Sequence, residues 1–247
     1  MQDFTNFNPN QQQPGSFSVV SEDSEAAFFQ RVYVWMFAAL GVTALTGFLM
    51  SRVEPWVMFL FNSPFLLYIA VAFIPVGMAF YLQRKVENMS PGAVKGWLMA
   101  VAAGFGATTL TVCFIIYPSA AFVKAFVCAS AIYGAMALYG LVTKRSLQAL
   151  GGFLYMGLIG LIVAIVINWF VQSGPMDFVI CVIGVLIFAG LTAYDHQKLR
   201  VMYFSAVNEG ADEDTLARYG LMGSFELYLD FLNIFLFLLR LFGRADD

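Results

Sequence analysis

Residues 150–171 read LGGFLYMGLIGLIVAIVINWFV, 22 consecutive positions without an Asp, Glu, Lys or Arg. An α-helix rises about 1.5 Å per residue, so about 20 such residues cross the ~30 Å hydrocarbon core of a bilayer. The run is continuously apolar and does not alternate over about ten residues, which excludes a transmembrane β-barrel strand. It predicts a membrane-spanning helix, and the fold follows from how often the chain repeats it.

Six more runs of this kind flank it, at 32–50, 64–82, 97–116, 119–142, 178–194 and 224–241. Turn residues separate them, among them Asn62-Ser63-Pro64, Ser90-Pro91-Gly92, Tyr117-Pro118-Ser119 and Ser173-Gly174-Pro175. The composition agrees: 60% of residues are hydrophobic and 12% charged, against about 25% charged in a soluble domain. The predicted fold is all-α, a polytopic membrane protein in which residues 26–247 form seven transmembrane helices. Residues 1–25 are rich in Gln, Asn and Ser, hold four acids and no Lys or Arg, and are expected to be a disordered tail without the pattern of a signal peptide.

Cytoplasmic loops carry an excess of Lys and Arg. Alternate crossing places Arg31, Arg84, Lys85, Lys95, Lys144, Arg145, Lys198, Arg200 and Arg218 on the side of the N-terminus, and Arg52, Lys124, Arg240 and Arg244 on the other. Nine against four predicts a cytoplasmic N-terminus. A six-span arrangement with the last segment re-entrant stays open on this count. The net charge of −3 argues against a nucleic-acid partner. Cys113, Cys128 and Cys181 lie inside apolar runs and read as small packing residues. One histidine and three dispersed cysteines give no resident metal cluster, and no cofactor is expected.

Ionisable groups at membrane depth mark function by default, and the last run concentrates them. In SFELYLDFLNIFLFLLRLFG (224–243), Glu226, Asp230, Asn233 and Arg240 fall on one stripe about 80° wide. Asp230 lies about 9 Å along this helix, too deep to snorkel with ease. Arg240, about 15 Å further on, reads as an anchor at the opposite interface. The sixth run ends in GLTAYDHQKLR (190–200), which puts Asp195 at a depth similar to Asp230 on an antiparallel neighbour. Two adjacent carboxylates cannot both ionise cheaply, so such a dyad shares a proton and acts as a pH sensor. The alternative pairs Asp195 with Lys198 or Arg200 along its own helix. His196, adjacent to Asp195 but about 100° away on the wheel, is expected at a solvated interface. Asn168 and Gln172 could bond across helices.

The segments GLTAYDHQKLR and LYLDFLNIFLFLLRLFG (227–243), with TKRSLQALGGFL (143–154) between the fourth and fifth runs, resemble the Bax inhibitor-1 family in its bacterial branch. The resemblance implies seven spans with the last helix central, a bacterial inner membrane, and a pH-sensitive calcium leak sensed by Asp195 and Asp230, with calcium held only in transit. Tyr194, Asp195 and Gln197 match the family's Tyr-Asp-Thr-Gln motif, and His196 replaces its threonine. A basic residue at the end of the second helix contacts the dyad in some relatives; Arg84 is the nearest match, and Gln83 the alternative at that position. Glu226 stands where a small or hydroxyl residue is common and would add a third carboxylate at the entrance.

The chain is thus expected to be a monomeric, non-enzymatic calcium pathway, since carboxylates suit a hard, oxygen-seeking cation. The rival reading is a non-conducting regulator whose tail captures a membrane protease or a death-pathway protein. An intramembrane aspartyl protease is disfavoured because Leu227-Tyr228-Leu229 precede Asp230 where that class needs Gly-x-Gly.

Overall fold

The computed structural model describes residues 22–243, and no strand occurs among them. The helices are α1 (Glu22–Met50), α2 (Glu54–Asn62), α3 (Phe65–Lys85), α4 (Pro91–Phe105), α5 (Thr111–Ile116), α6 (Ser119–Val142), α7 (Gln148–Val171), α8 (Gly174–Asn208) and α9 (Glu213–Gly243). A π-helical segment, Gly106–Leu110, joins α4 and α5 into one rod. Among the described residues five helices are long and apolar enough to cross a membrane: α1, the α4–α5 rod, α6, α7 and α8. Their outward faces carry large apolar side chains, with Phe170 83% and Phe153 66% exposed, a surface that only lipid solvates well.

Boundaries shift from the sequence reading in informative ways. The expected tail 1–25 ends earlier, because Glu22–Glu25 already belong to α1; Glu25 is fixed by Arg200 at 2.7 Å. Residues 1–21 lie outside the described residues. The sixth apolar run is the middle of a 35-residue helix, about 52 Å long and so longer than the hydrocarbon core by about 22 Å. Polar residues beyond the core keep the helix going because water does not forbid it. The turn expected after the first run holds the short α2, whose Trp56 Nε1 donates to the Ala107 carbonyl at 2.7 Å, an indole position typical of an interface.

Helix α9 is the axis of the bundle, packed on α8, α6, α1 and α4. Phe225, Leu227, Tyr228, Ile234 and Leu239 are all fully buried along it. Helix α7 lies outside and packs mainly on α8. Close approach is set by small residues, as membrane packing favours: Gly140 of α6 lies against the backbone carbonyl of Ala193 in α8. The π segment leaves carbonyls that hydroxyls satisfy, Thr108 donating to Gly104 at 2.8 Å and Thr111 to Gly106 at 3.1 Å, in keeping with the rule that freed backbone groups must find partners in lipid.

Candidate functional site

The antiparallel pair α8 and α9 brings Asp195 and Asp230 together. Their carboxyl groups lie within hydrogen-bonding reach of each other, and the residues are 5% and 4% exposed. Asp195 Oδ1 and Asp230 Oδ2 are buried without a hydrogen-bond partner among the described residues. An unpartnered carboxylate oxygen inside a bundle is costly, so the site holds free acceptor capacity where a proton or a cation would be welcome.

The alternative partners of Asp195 are engaged elsewhere. Lys198 reaches across to Glu226 with two bonds of 2.8 and 3.0 Å, and Arg200 turns to Glu25. Glu226 is thereby a half-buried ion-pair partner one helical turn before Asp230 in α9. Asn233 lies on the expected stripe, but its amide donates to the Leu229 carbonyl of its own helix at 2.8 Å. Arg84 and Gln83 are both exposed, and neither bonds to an aspartate; Gln83 lines a small cavity of about 150 Å³ with Phe105 and Leu229.

His196 corrects the expectation of a solvated ring. It is 0% exposed, with Nδ1 2.7 Å from the Thr192 carbonyl and the rings of Tyr33 and Tyr133 at 5.9 and 5.6 Å. Helices α1 and α6 cover the face of α8 that the wheel left open. Nε2 has no partner among the described residues inside this aromatic enclosure. Tyr133 completes its wall, its hydroxyl donating to Met36 Sδ at 3.2 Å. Among the described residues no group of three His, Cys, Asp or Glu could hold a metal ion.

A second polar cluster lies at the far end of the same two helices. Asp177, in the first turn of α8, accepts from Asn168 Nδ2 at 3.3 Å and pairs with Arg240 Nη1 at 3.4 Å. Arg240 is therefore more than an interfacial anchor. Asp177 escaped the sequence reading because it stands one residue before the apolar run at 178, where an acid looks like loop. Its signal was the Ser173-Gly174-Pro175 start, which caps a helix and favours an acid in the first turn. Between the two clusters α9 buries Phe231, Ile234, Phe235 and Leu238.

A family model described as "Inhibitor of apoptosis-promoting Bax1" matches residues 25–247. The inner membrane protein YbhL of Escherichia coli is 36% identical over 218 residues, 88% of this chain and 91% of YbhL. Protein RP147 of Rickettsia prowazekii is 34% identical over 220 residues, 89% of this chain and 90% of RP147. A Deinococcus radiodurans protein is 35% identical over 225 residues, 91% and 93% of the two chains. With membrane-crossing helices, a buried aspartate pair and matches over nearly the whole length, the chain is an integral membrane protein that belongs to the Bax inhibitor-1 family.

Proposed function

We propose that the protein is a pH-sensitive calcium leak of a bacterial inner membrane, gated by Asp195 and Asp230. The observation that carries this reading is the pair itself, two buried carboxyls on adjacent helices, each with one oxygen unpartnered among the described residues. Sharing a proton, they attract and hold α9 against α8; losing it, they repel across a low-dielectric gap and oppose the closed packing. Deprotonation therefore favours conduction. Calcium would pass through oxygen ligands that it must also leave, which needs few acids and no resident metal. No covalent chemistry and no cofactor are required, and a monomer suffices.

The topology that goes with this function has seven spans and a cytoplasmic N-terminus. Helix α3, with 21 residues, is long enough to cross, and α9 crosses as the shielded centre, where its charged residues face protein. The excess of Lys and Arg on the N-terminal side supports the orientation, and the name of the E. coli relative supports the inner membrane.

The test is flux from calcium-loaded liposomes over about pH 6–8, a range that brackets a shared proton. The wild-type leak should rise with pH, and Asp195→Asn and Asp230→Asn should make it independent of pH. An identical pH response in both variants overturns the gating role. The absence of any flux favours the non-conducting regulator.

A further inference from the structure

A cavity of about 550 Å³ opens where α6, the 143–147 loop and the end of α8 meet. Its lining includes Lys144, Arg145, Lys198 and Arg200 and not one acid. Lys198 and Arg200 are neutralised by Glu226 and Glu25 from outside the lining, whereas Lys144 and Arg145 make no ion pair among the described residues. The pocket thus has a surplus of two positive charges. Its loop is fixed in place: the Gln197 amide accepts from Leu147 N at 2.7 Å and donates to the Arg145 carbonyl at 2.9 Å, so Arg145 is presented by a held backbone.

The pocket continues into the lipid-facing surface. Val142 lines it and is 76% exposed, and Leu138, one turn deeper on the same face of α6, is 66% exposed. A helix of 35 residues that outruns the hydrocarbon core puts this part of α8 at headgroup level. A soluble phosphate would use the basic rim and leave the apolar floor unexplained; a phospholipid uses both. We propose that this pocket holds the phosphodiester headgroup of an anionic phospholipid, with Lys144 and Arg145 on the phosphate and an acyl chain laid along Val142 and Leu138.

Basic pockets between transmembrane helices on the cytoplasmic side suit acidic headgroups, so the assignment to the inner leaflet rests on the proposed orientation, while the binding itself does not. Neither aspartate lines the pocket, although Lys198 does, and lipid retention is read without any flux.

The full chain in detergent, titrated with phosphatidylglycerol or phosphatidylcholine, is read by native mass spectrometry. Wild type should retain phosphatidylglycerol in preference. At about fivefold per cation, the double variant Lys144→Gln/Arg145→Gln should bind it about 25-fold more weakly. Arg52→Gln, at the other end of the bundle, should bind it as wild type does, and thermal unfolding of each variant confirms that it is folded. Equal retention of the two lipids overturns the proposal, as does equal loss in Arg52→Gln or undiminished binding in a folded double variant. Displacement of the lipid by glycerol phosphate at similar concentration overturns the lipid assignment.

Discussion

Arg240, in the last turn of α9, places Nη1 3.4 Å from Oδ1 of Asp177, in the first turn of α8. The two helices are thus tied at one end by this pair and near mid-length by the aspartates with Lys198–Glu226. Asp177 is nearly buried and Arg240 is 41% exposed in its side chain, which places the contact between a surface pair and a desolvated one. Arg240→Gln should cost about 1–2 kcal/mol in detergent unfolding. On the proposed leak function, with α9 moving as the pathway opens, the variant should also leak faster at a fixed pH. Unchanged stability and unchanged flux would show that the outer pair holds nothing.

Helix crossing makes a sharper demand at Gly140. A Cβ there would meet the backbone carbonyl of Ala193, which cannot swing aside, whereas a Cβ at Gly134 in the same helix meets nothing within 4 Å. Gly140→Ala should destabilise by about 1–3 kcal/mol, the usual cost of overpacking. Gly134→Ala should be neutral or slightly stabilising, since alanine favours the helix. Equal thermal shifts for the two would contradict the close approach of α6 and α8.

The single histidine offers a chemical test of how α1 and α6 cover α8. His196 lies beneath Tyr33 and Tyr133 with no exposed surface. Diethyl pyrocarbonate should leave the folded protein unmodified and should label one histidine after unfolding in dodecyl sulfate. Rapid labelling of the native protein would place the ring in water.

How far the sequence discloses this molecule depends on which physical constraint is local. The seven apolar runs are visible because every residue in lipid must satisfy its backbone within its own helix. Asp230 is visible because its neighbours are Leu229 and Phe231. The burial of His196 is not, because it depends on α1 and α6, distant in sequence, closing over one face of α8. Asp177 was hidden for the opposite reason: the window that finds membrane helices stops at polar residues, and the helix does not. The same bias cuts α9 to its apolar part, although the helix starts at Glu213.

That earlier start carries its own pH dependence, outside the membrane. Asp212 caps α9, accepting from the Thr215 backbone N–H at 3.0 Å. Hydrogen bonds from the Thr215 hydroxyl and N–H hold the Asp212 carboxyl below the usual aspartate value. A depressed carboxyl contributes to the fold above its ordinary value, about 3.9, and the contribution is lost as pH falls through the lower, folded value. Hydrogen exchange in residues 213–217 should therefore stay slow near neutrality and quicken, beyond the intrinsic trend, below about pH 4. Asp212→Ala should show the quickened exchange already at neutral pH. Equal protection in the variant and wild type would remove the cap from the account.

Thr43 and Tyr228 give the most discriminating measure of what holds α9 at the centre. The Thr43 hydroxyl lies 2.9 Å from the Ala39 carbonyl, 3.0 Å from the Ala102 carbonyl and 2.8 Å from the Tyr228 hydroxyl, so a single side chain joins α1, α4 and α9. Replacing Tyr228 by Phe removes one bond and leaves Thr43 able to donate to either carbonyl. Replacing Thr43 by Val leaves the buried Tyr228 hydroxyl without this partner in a fully buried setting. A buried polar group without its bond costs more than the loss of one bond that both sides can replace. Tyr228→Phe should therefore cost about 1 kcal/mol or less, and Thr43→Val about 2 kcal/mol. The double variant should cost no more than Thr43→Val alone, because the hydroxyl that suffers is then absent. Additive losses in this cycle would mean that the two side chains act independently and that α9 is centred by apolar packing alone.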